Sequence, residues 1–183
     1  MSKPTSGHFK NTLGFRSHGA HDFSRFEIES LEYAKREEIV PHPIKRKQMS
    51  TKRKKELRNK VKNRTITKKE YKELDWNRRL AIRRNKGVNL FWNHEKQLLD
   101  SKLPGTHNWT DQQERDILNN KRPKFKGKVI KSHHTYSVKL YPHLADRAEF
   151  IFPATDNEHF NGWHGGDYKN SLPGIPIKFI KDF

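Results

Sequence analysis

The sequence contains no cysteine and little apolar material. Without cysteine there are no disulfide bridges, no cysteine-ligated zinc and no thiol catalysis, so a metal site would need histidine, carboxylate or amide ligands. Only 31% of the 183 residues are hydrophobic and 33% are charged, which predicts that part of the chain cannot bury enough apolar surface to become ordered. The length suits one compact domain with an appendage.

Long hydrophobic runs are also missing. The N-terminal stretch MSKPTSGHFKNTLGF lacks the apolar segment of a signal peptide, and no later window is long enough to span a bilayer. We therefore expect no signal peptide in this segment and no membrane insertion by it. An export signal would then lie on a longer parent polypeptide.

Acidic residues are outnumbered, with 21 Asp and Glu against 39 Lys and Arg. Residues 45–90 alone carry a net charge of +15, whereas residues 1–44 are neutral and residues 91–183 carry +3. This block predicts a polyanionic partner, with nucleic acid first and an anionic membrane or an acidic protein second. The run KRKQMSTKRKKELRNKVKNR within it fits either a solvated tether or an arm that contacts phosphates.

The chain is predicted to divide near residue 65. Residues 1–64 are predicted to form a linker and basic arm that is partly disordered, with one short helix in FSRFEIESLEYAKREE. Residues 65–183 are predicted to form the folded domain. Its expected class is α+β, with a mostly helical part followed by a unit of two strands and a helix.

Helix signals fill the first half of this domain. Thr67 with Glu70, and Thr110 with Gln113, have the spacing of a capping box, so each pair predicts a helix start. Gly87 is expected to end the first of these helices. The stretch VNLFWNHEKQLLDS is therefore predicted to be a separate second helix.

The hydrophobic period then changes to that of strands. The segment KFKGKVIKSHH predicts one strand with a bend or bulge near Gly127, and EFIFP predicts a second strand that Pro153 ends. Thr155 with Glu158 is a further capping-box pattern, which predicts a helix directly after the second strand.

Four histidines lie on this strand and helix. Adjacent strand residues point to opposite faces, so His133 and His134 cannot easily face one ion, which predicts one metal ligand and one general base. A neutral imidazole can accept a proton from water near pH 7, and a divalent ion can stabilise a phosphate. His159 and His164 are five residues apart, a poor spacing for a regular helix, but nearby glycines predict a loosened helix that brings His164 round.

The motifs KSHH, YPHLA, FIFPAT and NEHFNGWHGG, with DYKN downstream, together resemble the HNH/endonuclease VII superfamily of ββα-metal (His-Me finger) nucleases. Over residues 125–174 the sequence is most similar to GHH-type toxin domains, which occur at the C-termini of bacterial polymorphic toxins of the Rhs and LXG types. Colicin-type nucleases of this superfamily use the first histidine of the pair as a ligand and the second as the base. The resemblance therefore implies His133, His159 and His164 as metal ligands and His134 as the general base.

Three departures from the family pattern matter. Ser132 stands in place of the glycine of the GHH motif. The asparagine that orients the base in the superfamily would fall near Phe150, so its role is unfilled or met by another group. The helical spacing is one residue longer than the usual four, which leaves three alternatives to His164 for completing the coordination: Asn157, Glu158 and Asn170.

The resemblance and the charge together predict a metal-dependent endonuclease, a non-specific DNase with one divalent ion (Mg²⁺, Zn²⁺, Ni²⁺ or Mn²⁺). It would be the toxic C-terminal domain of an interbacterial toxin, secreted within a larger protein, active in the target-cell cytoplasm and matched by an acidic immunity protein. The side chains expected to contact the nucleic-acid backbone are Lys131, Lys169, Arg78, Arg79, Arg83 and Arg84.

Other functions remain open from the sequence. An RNase toxin of the same fold would use the same histidines and the same basic surface. A homing or phage HNH enzyme would differ by cutting at a defined site. A non-catalytic nucleic-acid-binding protein would instead use the histidines to hold a structural metal.

Overall fold

The computed structural model describes residues 39–44 and 48–183. The helix predicted at residues 23–38 and most of the predicted linker lie outside these residues. Within the described ranges, none of the helices combines the length and the apolar character needed to cross a bilayer. Helices are followed by two small antiparallel sheets, which confirms the predicted α+β class.

Three α-helices form the first part of the described chain: α1 (Thr51–Lys62), α2 (Lys68–Asp100) and α3 (Asp111–Leu118). Capping boxes close the N-termini of α2 and α3 at the two predicted positions, Thr67 with Glu70 and Thr110 with Gln113. A capping box gives hydrogen-bond partners to amide groups that have none within the helix. These short local patterns therefore fix where the two helices begin.

The predicted break at Gly87 is wrong, because α2 continues through this residue without interruption. Gly87 is buried, and a Cβ atom built there would lie 2.6 Å from the carbonyl oxygen of Ala145. The same atom would lie 3.1 Å from the carbonyl carbon of Asp146. Glycine stands here because a loop packs against bare helix backbone, and the helix tolerates its cost of roughly 1 kcal/mol relative to alanine.

α1 packs against the N-terminal part of α2. Leu57 on α1 is fully buried, and Lys60 Nζ lies 2.6 Å from Glu70 Oε1 on α2. The amide of Met49 donates a hydrogen bond to Asn77 Oδ1 at 2.9 Å. The predicted domain boundary at residue 65 stays a prediction.

The first predicted strand is divided into a hairpin and a separate strand. β1 (Lys124–Phe125) pairs with β2 (Lys128–Val129) across a turn in which Lys126 has φ of 46° and Gly127 has φ of 81°. Positive φ at both central residues is typical of the tight turns that join hairpin strands. The prediction of one bent strand is therefore wrong at its first half.

The second sheet carries the histidine pair. β3 (Lys131–His134) pairs antiparallel with β4 (Ile151–Ala154), with His133 opposite Phe152 and His134 opposite Ile151. The indole nitrogen of Trp92 on α2 donates to Ser132 Oγ at 2.8 Å. The serine at the GHH glycine position thus ties β3 to the long helix.

The main hydrophobic core lies where α2, α3 and the strands meet. Its buried members are Phe91, Trp92, Trp109, Ile117, Ile130 and Ile151. Glu95 is fully buried beside them, and its carboxylate accepts hydrogen bonds from Trp109 Nε1 at 2.7 Å and from the Thr106 amide at 3.1 Å. These bonds satisfy a carboxylate that would otherwise be costly to bury.

The helix predicted after β4 is present and has an unusual geometry. Thr155 and Glu158 cap it as predicted, because the Thr155 amide donates to Glu158 Oε2 at 2.8 Å and the Glu158 amide donates to Thr155 Oγ1 at 3.0 Å. After two α-helical residues it becomes a π-helix over Glu158–Trp163. The C-terminal tail then packs back on it, since the Asp182 amide donates to Glu158 Oε1 at 3.0 Å.

Candidate metal centre and catalytic histidine

Three histidines converge between β3 and the π-helix. One ring nitrogen from each of His133, His159 and His164 lies within 4.8 Å of the others. Their ring centroids are 4.9 to 5.1 Å apart. The three residues that the resemblance implied as ligands are therefore the three that the fold brings together.

His133 is the innermost member of this cluster. It is only 6% exposed and packs against the buried indole of Trp163, with ring centroids 4.5 Å apart. Burial holds the pKa of His133 well below its ordinary value, and His159 and His164 lower it further. Burial also lowers the pKa of His159 to about 4. Both rings are neutral near pH 7 and keep a lone pair that can bind a cation.

The π-helix explains the five-residue spacing that departs from the family pattern. Hydrogen bonds in a π-helix join residues five apart, so residues with that spacing lie on one face, and π-helical turns are frequent at functional sites. His159 is in this helix, and His164 directly follows its last residue. The extra residue therefore keeps His164 beside His159, as the loosened helix predicted.

A backbone carbonyl fixes the orientation of His164. Its Nδ1 lies 2.6 Å from the carbonyl oxygen of Asn170, and because a carbonyl only accepts, Nδ1 carries the hydrogen. Nε2 is then the nitrogen of His164 that can bind a metal. Ligand histidines in metalloproteins commonly donate their other nitrogen in this way.

The alternative ligands have other roles among the described contacts. The Glu158 carboxylate is occupied by the amides of Thr155 and Asp182. Asn157 donates to Asp182 Oδ1 at 3.0 Å and accepts from Asn161 at 2.8 Å. Asn170 contributes the carbonyl that orients His164. Three imidazoles with ring nitrogens this close fit a divalent transition-metal ion, for which imidazole is a preferred ligand.

His134, the next residue on β3, has different surroundings. Its Nε2 lies 3.0 Å from the carbonyl oxygen of Ala145, in the loop between β3 and β4. Because the carbonyl can only accept, Nε2 carries the hydrogen and Nδ1 keeps the lone pair. Burial lowers the pKa of His134 to about 4, the Ala145 hydrogen bond opposes that shift, and the charge of Arg84 adds to it. His134 is thus neutral near pH 7, with the lone pair on Nδ1.

Four predicted phosphate contacts lie on α2. Arg78 and Arg79 are exposed and pair with Asp75, at 2.8 Å and 3.0 Å. Arg83 is partly buried, with donors 2.6 Å from Asp146 Oδ1 and 2.8 Å from the His143 carbonyl oxygen. Arg84 is exposed, and its charge acts on His134.

The two predicted lysines lie close to the histidine cluster in the sequence. Lys131 is half exposed, lies 3.5 Å from Asp156 Oδ1, and its charge helps to lower the pKa of His159. Lys169 is exposed, and its backbone amide donates to the Asp167 carboxylate at 2.9 Å. A role in substrate contact stays a prediction for all six cations.

Two contributions to the site were missed in the sequence. The Ala145 carbonyl accepts the hydrogen bond from His134 Nε2, whereas the sequence indicated only that the asparagine that usually orients the base is missing. Tyr168 is 62% exposed, with its ring centroid 5.2 Å from that of His164 and 5.6 Å from that of His159. A backbone carbonyl has no sequence signature, and a lone tyrosine gives no spacing to detect.

Residues 74–155 match the family described as a GHH signature containing HNH/Endo VII superfamily nuclease toxin. The predicted resemblance is confirmed. The match begins in α2 and ends just after β4, so it includes His133 and His134 and stops before His159. Comparisons with curated proteins and with solved structures found no match.

The family match indicates a nuclease toxin domain of the HNH/Endo VII superfamily. A nuclease acts on nucleic acid, which agrees with the basic composition of the chain. A toxin domain of this family also implies delivery into target cells.

Proposed function

We propose that this nuclease toxin domain is a metal-dependent endonuclease that hydrolyses DNA. The observation that carries the proposal is that the four histidines have two different environments. The rings of His133, His159 and His164 converge, whereas His134, next to His133 on β3, has an Nδ1 that carries no hydrogen. β3, β4 and the helix from Thr155 would then be the ββα-metal unit of the superfamily.

His133, His159 and His164 would hold one divalent ion. Such an ion supplies positive charge that stabilises the scissile phosphate and the leaving oxygen. Three imidazoles favour Zn²⁺ or Ni²⁺, whereas Mg²⁺ prefers oxygen ligands and Mn²⁺ accepts them as well. Trp163 would keep the innermost ligand in place by packing on the ring of His133.

His134 would act as the general base. Its Nδ1 would accept a proton from the attacking water, and its Nε2 would remain bonded to the Ala145 carbonyl. That carbonyl would stabilise the imidazolium as it forms, since this hydrogen bond favours the protonated ring. The Ala145 carbonyl would thereby take the role of the missing asparagine.

The exposed cations of α1 support a grip on the DNA backbone. Arg53 and Lys60 are used within the fold, where they pair with Glu70 at 3.5 Å and 2.6 Å. Other cations of α1 are exposed and recur every three or four residues, a spacing that places them on one helix face: Lys52, Lys55, Arg58 and Lys62. Such contacts would bind phosphates without reading bases.

The biological setting follows from the family and the charge. The domain would be the toxic C-terminal part of a larger secreted interbacterial toxin and would act in the cytoplasm of the target cell. A cognate immunity protein would protect the producer, and an acidic surface on it would complement the net charge of +18.

Degradation of plasmid DNA and of total RNA, each with and without EDTA, tests the proposal. We expect the chain to degrade plasmid in the presence of Zn²⁺, Ni²⁺, Mn²⁺ or Mg²⁺, and EDTA to stop the reaction. Degradation of RNA alone would replace the DNase by an RNase. A chain that binds both polymers and cuts neither would contradict the enzymatic proposal.

A further inference from the structure

Gly87 and the loop before β4 are in unusually close contact. A Cβ at position 87 would lie 2.6 Å from the Ala145 carbonyl oxygen, about an ångström inside an ordinary non-bonded contact. The atoms it would meet are backbone atoms of Ala145 and Asp146, which cannot swing aside as a side chain can. Any side chain at position 87 must therefore move the loop or bend the helix.

The carbonyl that faces Gly87 is the one that orients His134. Ala145 is 1% exposed, and its oxygen accepts the hydrogen bond from His134 Nε2 at 3.0 Å. One turn earlier on α2, Arg83 donates to the His143 carbonyl and to the Asp146 carboxylate. Arg83 thus binds residues on both sides of Ala145, and Gly87, which has no side chain, leaves room for the Ala145 carbonyl.

We propose that Gly87 is a positioning residue for the general base. The missing side chain lets the Ala145 carbonyl occupy the point where it fixes the Nε2–H form of His134 and leaves Nδ1 to take the proton. The inference rests on the proposed role of His134. Gly87, in the middle of α2, would then have a role in the reaction, although the sequence predicted only the end of a helix there.

The test compares the full chain with three variants, Gly87→Ala, Gly105→Ala and His134→Ala. Gly105→Ala is the matched control, because its Cβ would also meet two heavy atoms at 2.6 Å, but those atoms belong to the Trp109 ring. Three quantities are measured for each protein: kcat on plasmid DNA, Zn²⁺ affinity by calorimetry, and the tautomer of His134 by nitrogen-15 NMR. Thermal unfolding reports the loss of stability.

We expect Gly87→Ala to lower kcat by roughly 10- to 100-fold, because misplacing a reacting group by about an ångström has this effect. His134 should lose its Nε2–H form in this variant, whereas Zn²⁺ affinity should stay within about 2-fold, since the ligand histidines are held elsewhere. Gly105→Ala should lose stability and keep kcat and the tautomer.

A Gly87→Ala variant with the original kcat and tautomer would overturn the inference, as would equal losses of kcat in both glycine variants. If Gly87→Ala does not fold, Arg83→Gln loosens the same loop, and an unchanged His134 tautomer there would also overturn it. An active His134→Ala variant would instead refute the proposed general base. The failure of the inference is therefore distinguishable from the failure of the proposed function.

Discussion

The histidines of this site differ in the atom that each can offer. At His164 and at His134 a backbone carbonyl holds one ring nitrogen as the donor, so the other nitrogen is left to accept. At His133 burial against Trp163 removes the competing proton. Identical side chains thus acquire separate roles from the backbone around them.

Replacement of a cluster histidine tests the ligand set. We expect His133→Ala to reduce Zn²⁺ affinity by at least about 100-fold, because even groups that only orient a ligand contribute 10- to 100-fold. Calorimetry on the folded variant measures this. His94→Ala is the control, since His94 on α2 is not in the cluster, and equal losses in both variants would contradict the assignment.

The metal-free fold should lose stability in acid. The pKa values of His134 and His159 are about 4 in the fold against an ordinary 6.5, so the unfolded chain binds more protons between these limits. The free energy of unfolding should therefore fall as the pH drops from about 6.5 towards 4. Urea unfolding in EDTA at several pH values measures this, and the double variant His134→Ala, His159→Ala should show a weaker dependence. A free energy of unfolding that rises as the pH drops over this range would contradict the lowered pKa values.

At the residue scale the sequence could identify the histidines but not what surrounds them. The KSHH and EH motifs carry enough chemistry to select His133, His134 and His159. The spacing of His164 left its role open until the helix geometry was known. No residue type marks the carbonyls of Ala145 and Asn170, because any residue can supply one.

At the element scale, the helix after β4 combines a firm start with an irregular continuation. Its N-terminus is fixed by Thr155, Glu158 and the returning tail at Asp182. The π-helical turns that follow place the two histidines together. Because π-helix is intrinsically unfavourable, the cap and the tail are expected to be what holds this segment in register.

Loss of the cap should therefore weaken the metal centre. Glu158→Ala removes the acceptor for the buried Thr155 amide and the partly buried Asp182 amide, which should cost about 1–3 kcal/mol of unfolding free energy and lower Zn²⁺ affinity roughly 10-fold. Gln113→Ala on α3 is the matched control, because the Gln113 side chain also makes two hydrogen bonds to backbone groups: it accepts from the Thr110 amide and donates to the Lys124 carbonyl. A loss of Zn²⁺ affinity in the control equal to that in Glu158→Ala would show that stability alone is responsible.

Elements were predictable where a local pattern decides them. The capping boxes marked the starts of α2, α3 and the last helix correctly, because the partners are three residues apart in the sequence. The break at Gly87 and the single strand at residues 124–134 were wrong for opposite reasons. At Gly87 the glycine is required by a loop that is distant in the sequence, and the helix continues. At Gly127 the glycine marks a turn that reverses the chain, whereas the sequence pattern fitted a bend or bulge within one strand equally well.

At the scale of the whole molecule, the fold divides the cations of the basic block, residues 45–90, into two sets. Some cations join α1 to α2, as Lys60 does with Glu70, and others face solvent. The sequence could locate the block but not this division, since it depends on which face of α1 packs on α2. Only the second set would be free to contact a nucleic-acid backbone and release its counterions.

Two double variants with equal charge change separate these sets. Lys55→Gln with Arg58→Gln should reduce the salt dependence of DNA binding by about 2 in the log–log slope, because each phosphate contact contributes about 0.9. Arg53→Gln with Lys60→Gln should leave the slope nearly unchanged and instead lower stability. Binding titrations over a range of salt measure the slopes. Equal slopes for the two double variants would contradict the division.

The most direct test of the account is the His134→Ala variant, measured at once for folding, Zn²⁺ binding and plasmid cleavage. If three histidines hold the metal and His134 takes the proton, the variant will be folded, will bind Zn²⁺ as tightly as the original chain, and will lose cleavage by about 100-fold or more. Loss of Zn²⁺ binding, or undiminished cleavage, would contradict it.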